Sequence, residues 1–197
     1  VKLGILDVQG DISEHLVTFR KAIREAGLDA HVESVRTPQA IADIDALVIP
    51  GGESTTVSML MSRFGLDDAL EKRIPDIPIF GTCAGLVLMC KKGAKMKAGQ
   101  KTLSLLDAKV IRNAFGRQVD SFEAPLDIPA IGDEPFHGVF IRAPAIESVW
   151  GDCESLAEYN GLIVLARQGN MLASAFHPEL TDDLRLHHMF LEMIQCQ

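Results

Sequence analysis

The sequence predicts an α/β fold in three layers: a mostly parallel sheet covered by helices on both faces, with an additional antiparallel strand region. Three observations predict it. The first half alternates short apolar runs with helical patterns, which is the signature of a parallel sheet built from strand–helix units. Its strand candidates are continuously apolar, as strands buried on both faces should be. The second half is a succession of strand-like runs separated by turn dipeptides, which points to antiparallel pairing.

The elements follow in order. Residues 2–8 are apolar and β-prone, and Gln9-Gly10 ends the run. Asp11 followed by Glu14 resembles a capping box for a helix over residues 12–26, which Gly27 closes. Residues 30–35 form a second strand candidate, and Thr37-Pro38 opens a short helix with proline at its tolerated first position. Residues 45–49 are a third strand, broken by Pro50-Gly51-Gly52. Ser54 is placed to cap a helix through Phe64, stopped by Gly65. Residues 77–80 are a fourth strand, followed by a sharp turn at Cys83 and a helix to about Lys91. Residues 91–101 are basic and read as a solvated surface loop. Strand-like runs then cover 105–111, 119–126, 139–142, 162–167 and 171–176. Asn160-Gly161 signals a turn and Gly169-Asn170 a hairpin. An amphipathic helix over 183–194 ends the chain. No repeat or linker interrupts it, so residues 1–197 are expected to form one domain.

The net charge is −8, from 19 basic and 27 acidic residues. That argues against nucleic acid as the main ligand, because binding phosphates needs a basic face. No apolar run is long enough to span a membrane, and no leader precedes the first strand, so a cytoplasmic protein is expected. Four cysteines lie far apart without a Cys-x-x-Cys pair, the pattern of reduced thiols.

One of those thiols carries the functional reading. Cys83 lies in Ile79-Phe80-Gly81-Thr82-Cys83-Ala84-Gly85-Leu86, between two glycines at a strand-to-helix turn. A nucleophile there is pushed out of the backbone in a strained conformation that tolerates only small neighbours. Free cysteine is also commonly a small buried apolar residue, and the glycine frame is what favours the nucleophile. A thiol nucleophile wants a base and an acid to orient it. His177 closes the last strand in Ala175-Phe176-His177-Pro178-Glu179-Leu180, and in an extended segment residues i and i+2 point to the same side. Glu179 is thus placed to hold one imidazole nitrogen while the other faces Cys83. His187-His188 read as surface or interface residues. His15, His31 and His137 have no comparable partner in the sequence, and no spacing suggests a metal site. Pro50-Gly51-Gly52-Glu53-Ser54 removes side chains where a backbone must come close to something. An amide of that turn and the Ala84 amide could form a two-donor oxyanion hole, although Gly-Gly before a helix is also an ordinary tight turn.

Together, Gly-x-Cys-x-Gly, an early Pro-Gly-Gly and a late His-Pro-Glu resemble the triad-type (class I) glutamine amidotransferases. Six ordered blocks narrow the resemblance to the glutaminase subunits of pyridoxal 5′-phosphate synthase: Leu6-Asp7-Val8-Gln9-Gly10, Pro50-Gly51-Gly52-Glu53-Ser54-Thr55-Thr56, Phe80-Gly81-Thr82-Cys83-Ala84-Gly85, the run from Arg112-Asn113-Ala114-Phe115 to Phe122-Glu123, Phe140-Ile141-Arg142-Ala143-Pro144, and Phe176-His177-Pro178-Glu179-Leu180-Thr181. The resemblance implies a flavodoxin-like sheet and hydrolysis of L-glutamine to L-glutamate and ammonia, with Cys83, His177 and Glu179 as catalytic residues. It also implies Gly51, Gly52, Glu53, Arg112, Ile141 and Arg142 as glutamine contacts, with Gly51 and Ala84 amides as oxyanion donors. No cofactor and no metal are implied. The partner implied is a ring-forming synthase subunit that takes the ammonia, builds pyridoxal 5′-phosphate from a pentose phosphate and glyceraldehyde 3-phosphate, and organises the oxyanion hole on docking. Two departures are Asp7, where a small or apolar residue is usual, and the Lys-rich stretch 91–102.

Competing readings are a glutaminase that serves another synthase, a cysteine peptidase or chaperone-like protein of related fold, and a binding module with a decayed site. The second usually places His directly after the nucleophile, where this chain has Ala84. The third is opposed by the intact Cys83, His177 and Glu179.

Overall fold

The first strand, β1 (Lys2–Leu6), is buried along four of its five residues. The helix that follows, α1 (Ile12–Glu25), buries His15, Thr18, Phe19, Ala22 and Ile23, the three- and four-residue spacing of one apolar stripe. Gly27, at φ 62°, ends it. Its N–H donates to Arg24 O and that of Leu28 to Ile23 O, which satisfies the last carbonyls in a Schellman arrangement. This computed structural model describes residues 1–74, 76–94, 101–116 and 121–196.

The alternation continues through β2 (His31–Val35), α2 (Pro38–Asp43), β3 (Ala46–Ile49), α3 (Ser54–Arg63), α4 (Leu66–Glu71), β4 (Ile79–Thr82) and α5 (Ala84–Met89). Thr37 caps α2, its hydroxyl accepting from the Ala40 N–H at 3.2 Å, with Pro38 at the first helical position. The other two expected caps are corrected. Asp11 makes no side-chain cap bond to α1. At α3 the cap is Glu53, whose carboxylate accepts from the Thr55 and Thr56 amides, and Ser54 is already inside the helix and buried.

Beyond α5 come β5 (Cys90–Lys92), β6 (Leu106–Ile111), β7 (Ser121–Leu126), β8 (Phe136–Ile141), β9 (Ala145–Val149), β10 (Glu154–Tyr159), β11 (Leu162–Gln168), β12 (Met171–Ser174) and α6 (Arg185–Gln195). The main sheet runs β2-β1-β3-β4-β12-β11-β9-β6-β5, with β10 paired to β11. From β2 to β12 the neighbours are parallel. β12–β11, β11–β9 and β9–β6 are antiparallel, and β7–β8 form a separate antiparallel pair. The expected fold class is therefore the observed one. Gly169-Asn170 joins β11 to β12 as the hairpin predicted, and Asn160 and Gly161, both at positive φ, turn β10 into β11.

Four elements are absent from the sequence reading: α4, β5, β9 and β10. Each carries a weak local signal. β10 buries one residue of six, and β5 is three residues long with two exposed. The helix after Cys83 is also shorter than predicted. Cys90 turns extended (ψ 139°) and pairs with β6 instead of continuing the helix. Positions 95–100 of the basic stretch, 117–120 of the Arg112 motif and 119–120 of the strand expected over 119–126 lie outside the described residues.

Two aromatic groups organise the core. Phe80 of β4 meets Phe190 of α6 at 5.4 Å, and Phe190 meets Phe19 of α1 at 6.1 Å, tying both helices to one face. On the other side Phe140 of β8 touches Phe122, Phe115 and Tyr159, and reaches Phe176 at 5.7 Å. That second cluster holds the β7–β8 pair against the segment that carries His177.

Candidate active site

The site grows out of one register. β12 lies parallel to β4 with Thr82 opposite Ser174, so both strands end level and the residues beyond them emerge side by side. Parallel sheets bind ligands beyond such carboxyl ends. Cys83 is the next residue after β4, and His177 follows β12 three residues on. The Cys83 N–H donates to Ser174 O at 2.8 Å, the Ser174 hydroxyl donates to Phe176 O at 2.9 Å, and the His177 N–H donates to Val139 O at 2.8 Å. These bonds fix both segments.

Cys83 adopts φ 47°, ψ −95°, a left-handed region that costs a residue with a Cβ on the order of 1–3 kcal/mol. The strain expected at this turn is present, and so is the reason for its glycine neighbours. A Cβ on Gly81 would lie 2.5 Å from Met89 Sδ and 2.7 Å from the Gly85 carbonyl carbon, and one on Gly85 would collide with the Ile49 carbonyl.

His177 Nδ1 lies 2.7 Å from Glu179 Oε1, the i and i+2 pairing that the extended segment predicts. Cys83 lines the same cavity as the His177 ring and favours its charged form. With Nδ1 taken by carboxylate, Nε2 is the nitrogen left for sulfur. Burial disfavours the charged ring, but Asp11, Cys83 and Glu179 together outweigh it, and the imidazole is pushed up to about 12. Cys83, His177 and Glu179 are all buried, at 8 %, 3 % and 5 % exposure.

A second carboxylate on His177 is the residue the sequence reading misassigned. Asp11 Oδ2 stands 3.2 Å from Nδ1. Asp11, His177 and Glu179 offer ligand atoms within 4.8 Å of one another, the one such donor set among the described residues. Here those atoms bond to one another around a single ring nitrogen. His15 is also corrected: it is fully buried, with Nε2 3.5 Å from Glu179 Oε1 and 3.2 Å from Thr82 Oγ1. Its burial, foremost, holds its pKa below the usual value beside Glu179 and His177. His187, expected as a surface or interface residue, is buried edge-on against Phe19 at 4.8 Å, and burial pushes it down to about 3. His188 is partly exposed, and His31 and His137 each pair with an exposed carboxylate. The signal that could have found Asp11 is positional: it belongs to the loop after β1, beyond the carboxyl end of a parallel strand.

In front of Cys83 lies a cavity of about 430 Å³, within the range of small-molecule sites, lined among others by Asp11, Gly52, Glu53, Ala84, Arg112, Ile141, Arg142 and His177. Gly51 is not part of that lining. It is buried behind it, where a Cβ would strike the His177 ring. Glu53 and Arg112 bind each other at 3.1 Å across the cavity. Burial resists the Glu53 charge, yet bonds from the Thr55 and Thr56 hydroxyls and amides hold its carboxyl at about 2. Arg142 stands at φ 42°, and the neighbouring loop is tied to that of Arg112 by the Ala114 N–H donating to Ala143 O at 3.1 Å. Asp7, the departure noted in the sequence, pairs with Arg36 at 2.6 Å.

The family model for the SNO glutamine amidotransferase family matches residues 5–196. Among similar curated proteins, the pyridoxal 5′-phosphate synthase subunit PdxT of Streptomyces avermitilis is 47% identical over 195 residues, 98% of this chain and 94% of the relative. That of Pyrococcus furiosus is 48% identical over 196 residues, covering 98% and 99%. That of Pelotomaculum thermopropionicum is 51% identical over 193 residues, covering 98% and 94%. A crystal structure of a glutamine amidotransferase superposes with a TM-score of 0.85 at 44% identity over 98% of both chains. One from Thermotoga maritima, 14% identical with a TM-score of 0.60, shares the fold. An elbow cysteine beside a carboxylate-held imidazole, in a chain matched along nearly its whole length, leads to one conclusion: the protein belongs to the SNO glutamine amidotransferase family.

Proposed function

We propose that the chain, acting as one glutaminase domain, hydrolyses L-glutamine to L-glutamate and ammonia and hands the ammonia to the ring-forming subunit of a pyridoxal 5′-phosphate synthase. The observation that carries it is that Cys83 and the His177 ring held by Glu179 line one polar cavity, in a chain 46–51% identical to proteins named as subunits of that synthase.

In this reading Cys83 sulfur, as thiolate, adds to the carboxamide carbon of glutamine. The oxyanion that forms is held by the Ala84 amide and by the Gly51–Gly52 turn, of which Gly52 faces the cavity. His177 holds the proton taken from the thiol and gives it from Nε2 to the leaving nitrogen. The C–N bond then breaks, ammonia departs and a thioester to Cys83 remains. A water deprotonated by His177 adds to that thioester, and glutamate leaves as the sulfur recovers its place. Glu179 keeps Nδ1 protonated throughout. Arg112 and Arg142 are assigned to the substrate carboxylate and Glu53 to its ammonium, with Ile141 and Gly52 along its flank. The Glu53–Arg112 pair supports that assignment, because a zwitterionic amino acid brings one partner for each of the two. Hydrolysis through a thioester draws on side chains and backbone amides alone.

Among the described residues no helix is long and apolar enough to cross a membrane. A cytoplasmic location, where the synthase substrates would be met, is part of the proposal.

The test is ammonia release from glutamine with and without the synthase subunit. Low release alone and a marked rise on addition is the expected result. Release that never exceeds background in the presence of the partner refutes the reading.

A further inference from the structure

We propose that Asp11 is a positioning residue for this reaction: a second carboxylate that shares the Nδ1 proton of His177 with Glu179 and keeps Nε2 aimed at Cys83. The proposal rests on the glutaminase reading for its kinetic consequence, though not for the contact itself.

The Glu179 oxygen that faces His177 is a divided partner. Oε1 lies 2.7 Å from His177 Nδ1 and also 3.5 Å from His15 Nε2. Asp11, the residue just before α1, approaches the same Nδ1 at 3.2 Å. One turn of α1 supplies both neighbours, because Asp11 and His15 are four residues apart and the His15 N–H donates to Asp11 O at 3.2 Å. The ring is thereby fixed by a carboxylate on its own segment and by one from a different layer of the fold.

The contact displaces an ordinary role. Aspartate at the position before a helix normally accepts from the amides of the first turn. Asp11 occupies that position at φ −86°, ψ 50° and makes no such bond, because its carboxylate is turned to His177. Room for the turn comes from residue 51. A Cβ on Gly51 would strike His177 Cε1 and come within 2.8 Å of Asp11 Oδ2. The absence of a side chain at 51 thus has a function apart from the oxyanion hole, since it lets carboxylate and imidazole meet.

Around the ring, among the described residues, stand the Asp11 and Glu179 carboxylates at Nδ1, Cys83 at the same cavity, and His15, whose burial keeps its pKa below the usual value. The effect is reciprocal: the His177 hydrogen bond, chiefly, holds the Asp11 carboxyl below the usual carboxylate range although burial acts the other way. Asp11 is also about a third exposed, at the cavity wall, so its hold is weaker than that of buried Glu179. What it adds is a second anchor for the Nδ1 proton, so that the proton lost to ammonia leaves from Nε2.

Asp11→Asn separates this role from helix capping, because asparagine caps as well as aspartate but carries no charge. Two readouts apply. In the free chain, ¹⁵N NMR of the His177 ring follows the pH at which the imidazolium begins to lose its proton. That onset is expected to fall by about one pH unit in Asp11→Asn, in keeping with removal of one opposite charge in contact. In the complex with the synthase subunit, the alkaline limb of kcat/KM for glutamine is expected to move down with it, with kcat reduced roughly tenfold at the wild-type optimum and KM little changed. Asp11→Glu should recover part of both. An onset of deprotonation identical to wild type in Asp11→Asn overturns the proposal. Wild-type protein without glutaminase activity would instead refute the functional reading, and the NMR result would still decide the contact.

Discussion

The backbone N–H of Cys83 donates to the carbonyl of Ser174 at 2.8 Å, one residue past the point where β4 and β12 stand in register at Thr82 and Ser174. This bond joins the turn of Cys83, the proposed nucleophile, to the strand that leads to His177, the proposed base. Their relative position is set by ladder hydrogen bonds within a buried sheet and does not depend on a mobile loop. Sites built on strands in this way hold the close geometry that a proton transfer between sulfur and imidazole needs.

Replacement of Cys83 by alanine tests the nucleophile. The side chain is small and 8 % exposed, so the variant should fold with little change in melting temperature. Glutamine hydrolysis in the complex should fall by about 10⁴-fold or more. Ammonia release near the wild-type rate would remove Cys83 from the mechanism.

Glu179→Gln exchanges an anionic acceptor for an amide at the 2.7 Å contact with His177. The expected outcome is a fall of about 10²-fold in kcat with KM nearly unchanged, since the loss is in orientation and charge and not in substrate contact. Because Asp11 still holds Nδ1, Asp11→Asn combined with Glu179→Gln should fall further than Glu179→Gln alone. A kcat equal to wild type in steady-state assays of Glu179→Gln contradicts the role.

Gly85→Ala addresses the elbow. The added methyl would collide with the Ile49 carbonyl at the end of β3. Such overpacking costs about 1–3 kcal/mol, and it should appear as a lower urea midpoint together with reduced activity, as Cys83 is pushed out of line. An unchanged midpoint would mean that α5 shifts freely against β3.

Arg142→Ala should raise KM for glutamine by about ten- to a hundredfold while kcat changes little, the loss of a charged hydrogen bond to the substrate carboxylate. A KM that stays at the wild-type value reassigns the carboxylate to Arg112.

His187 gives a pH-dependent stability. Its folded pKa is about 3 because burial excludes the charged ring, against 6.5 in the unfolded chain. Between those values the unfolded state binds the extra proton, so stability falls as pH drops from about 6.5 towards 3, by at most about 1.4 kcal/mol per pH unit from this group. His187→Phe, which keeps an aromatic edge against Phe19, should flatten that dependence. Urea denaturation at pH 7 and pH 5 would measure it, and equal slopes for both proteins would exclude His187 as the source.

Much of this site was legible in the sequence. Gly81-Thr82-Cys83-Ala84-Gly85 forced a turn that admits no bulk, and the backbone adopts the strained conformation this implied. His177 and Glu179 share one side because an extended segment alternates its side chains. The parallel first half could be read from continuous apolar runs, and the hairpin from Gly169-Asn170. The misreadings are of one kind. Asp11 and Ser54 both looked like caps, since an oxygen-bearing residue before a helix usually is one. His15 and His187 looked unpartnered, since their partners lie far away along the chain. The family resemblance points to Glu53 as a substrate contact, yet its role as the cap of α3 is hidden by the better-known preference of serine for that position.

Local chemistry therefore determined the elbow, the imidazole–carboxylate pair, the glycine turns and the strand-and-helix order, because each depends on residues within a few positions of one another. The tertiary structure alone decided that β12 inserts beside β4, that α1 brings Asp11 and His15 against the same imidazole and carboxylate, and that Gly51 lies behind the cavity wall. Those contacts join segments up to 166 residues apart, from Asp11 to His177. They arise only when burial of the whole sheet selects one strand order, which no short window of sequence encodes.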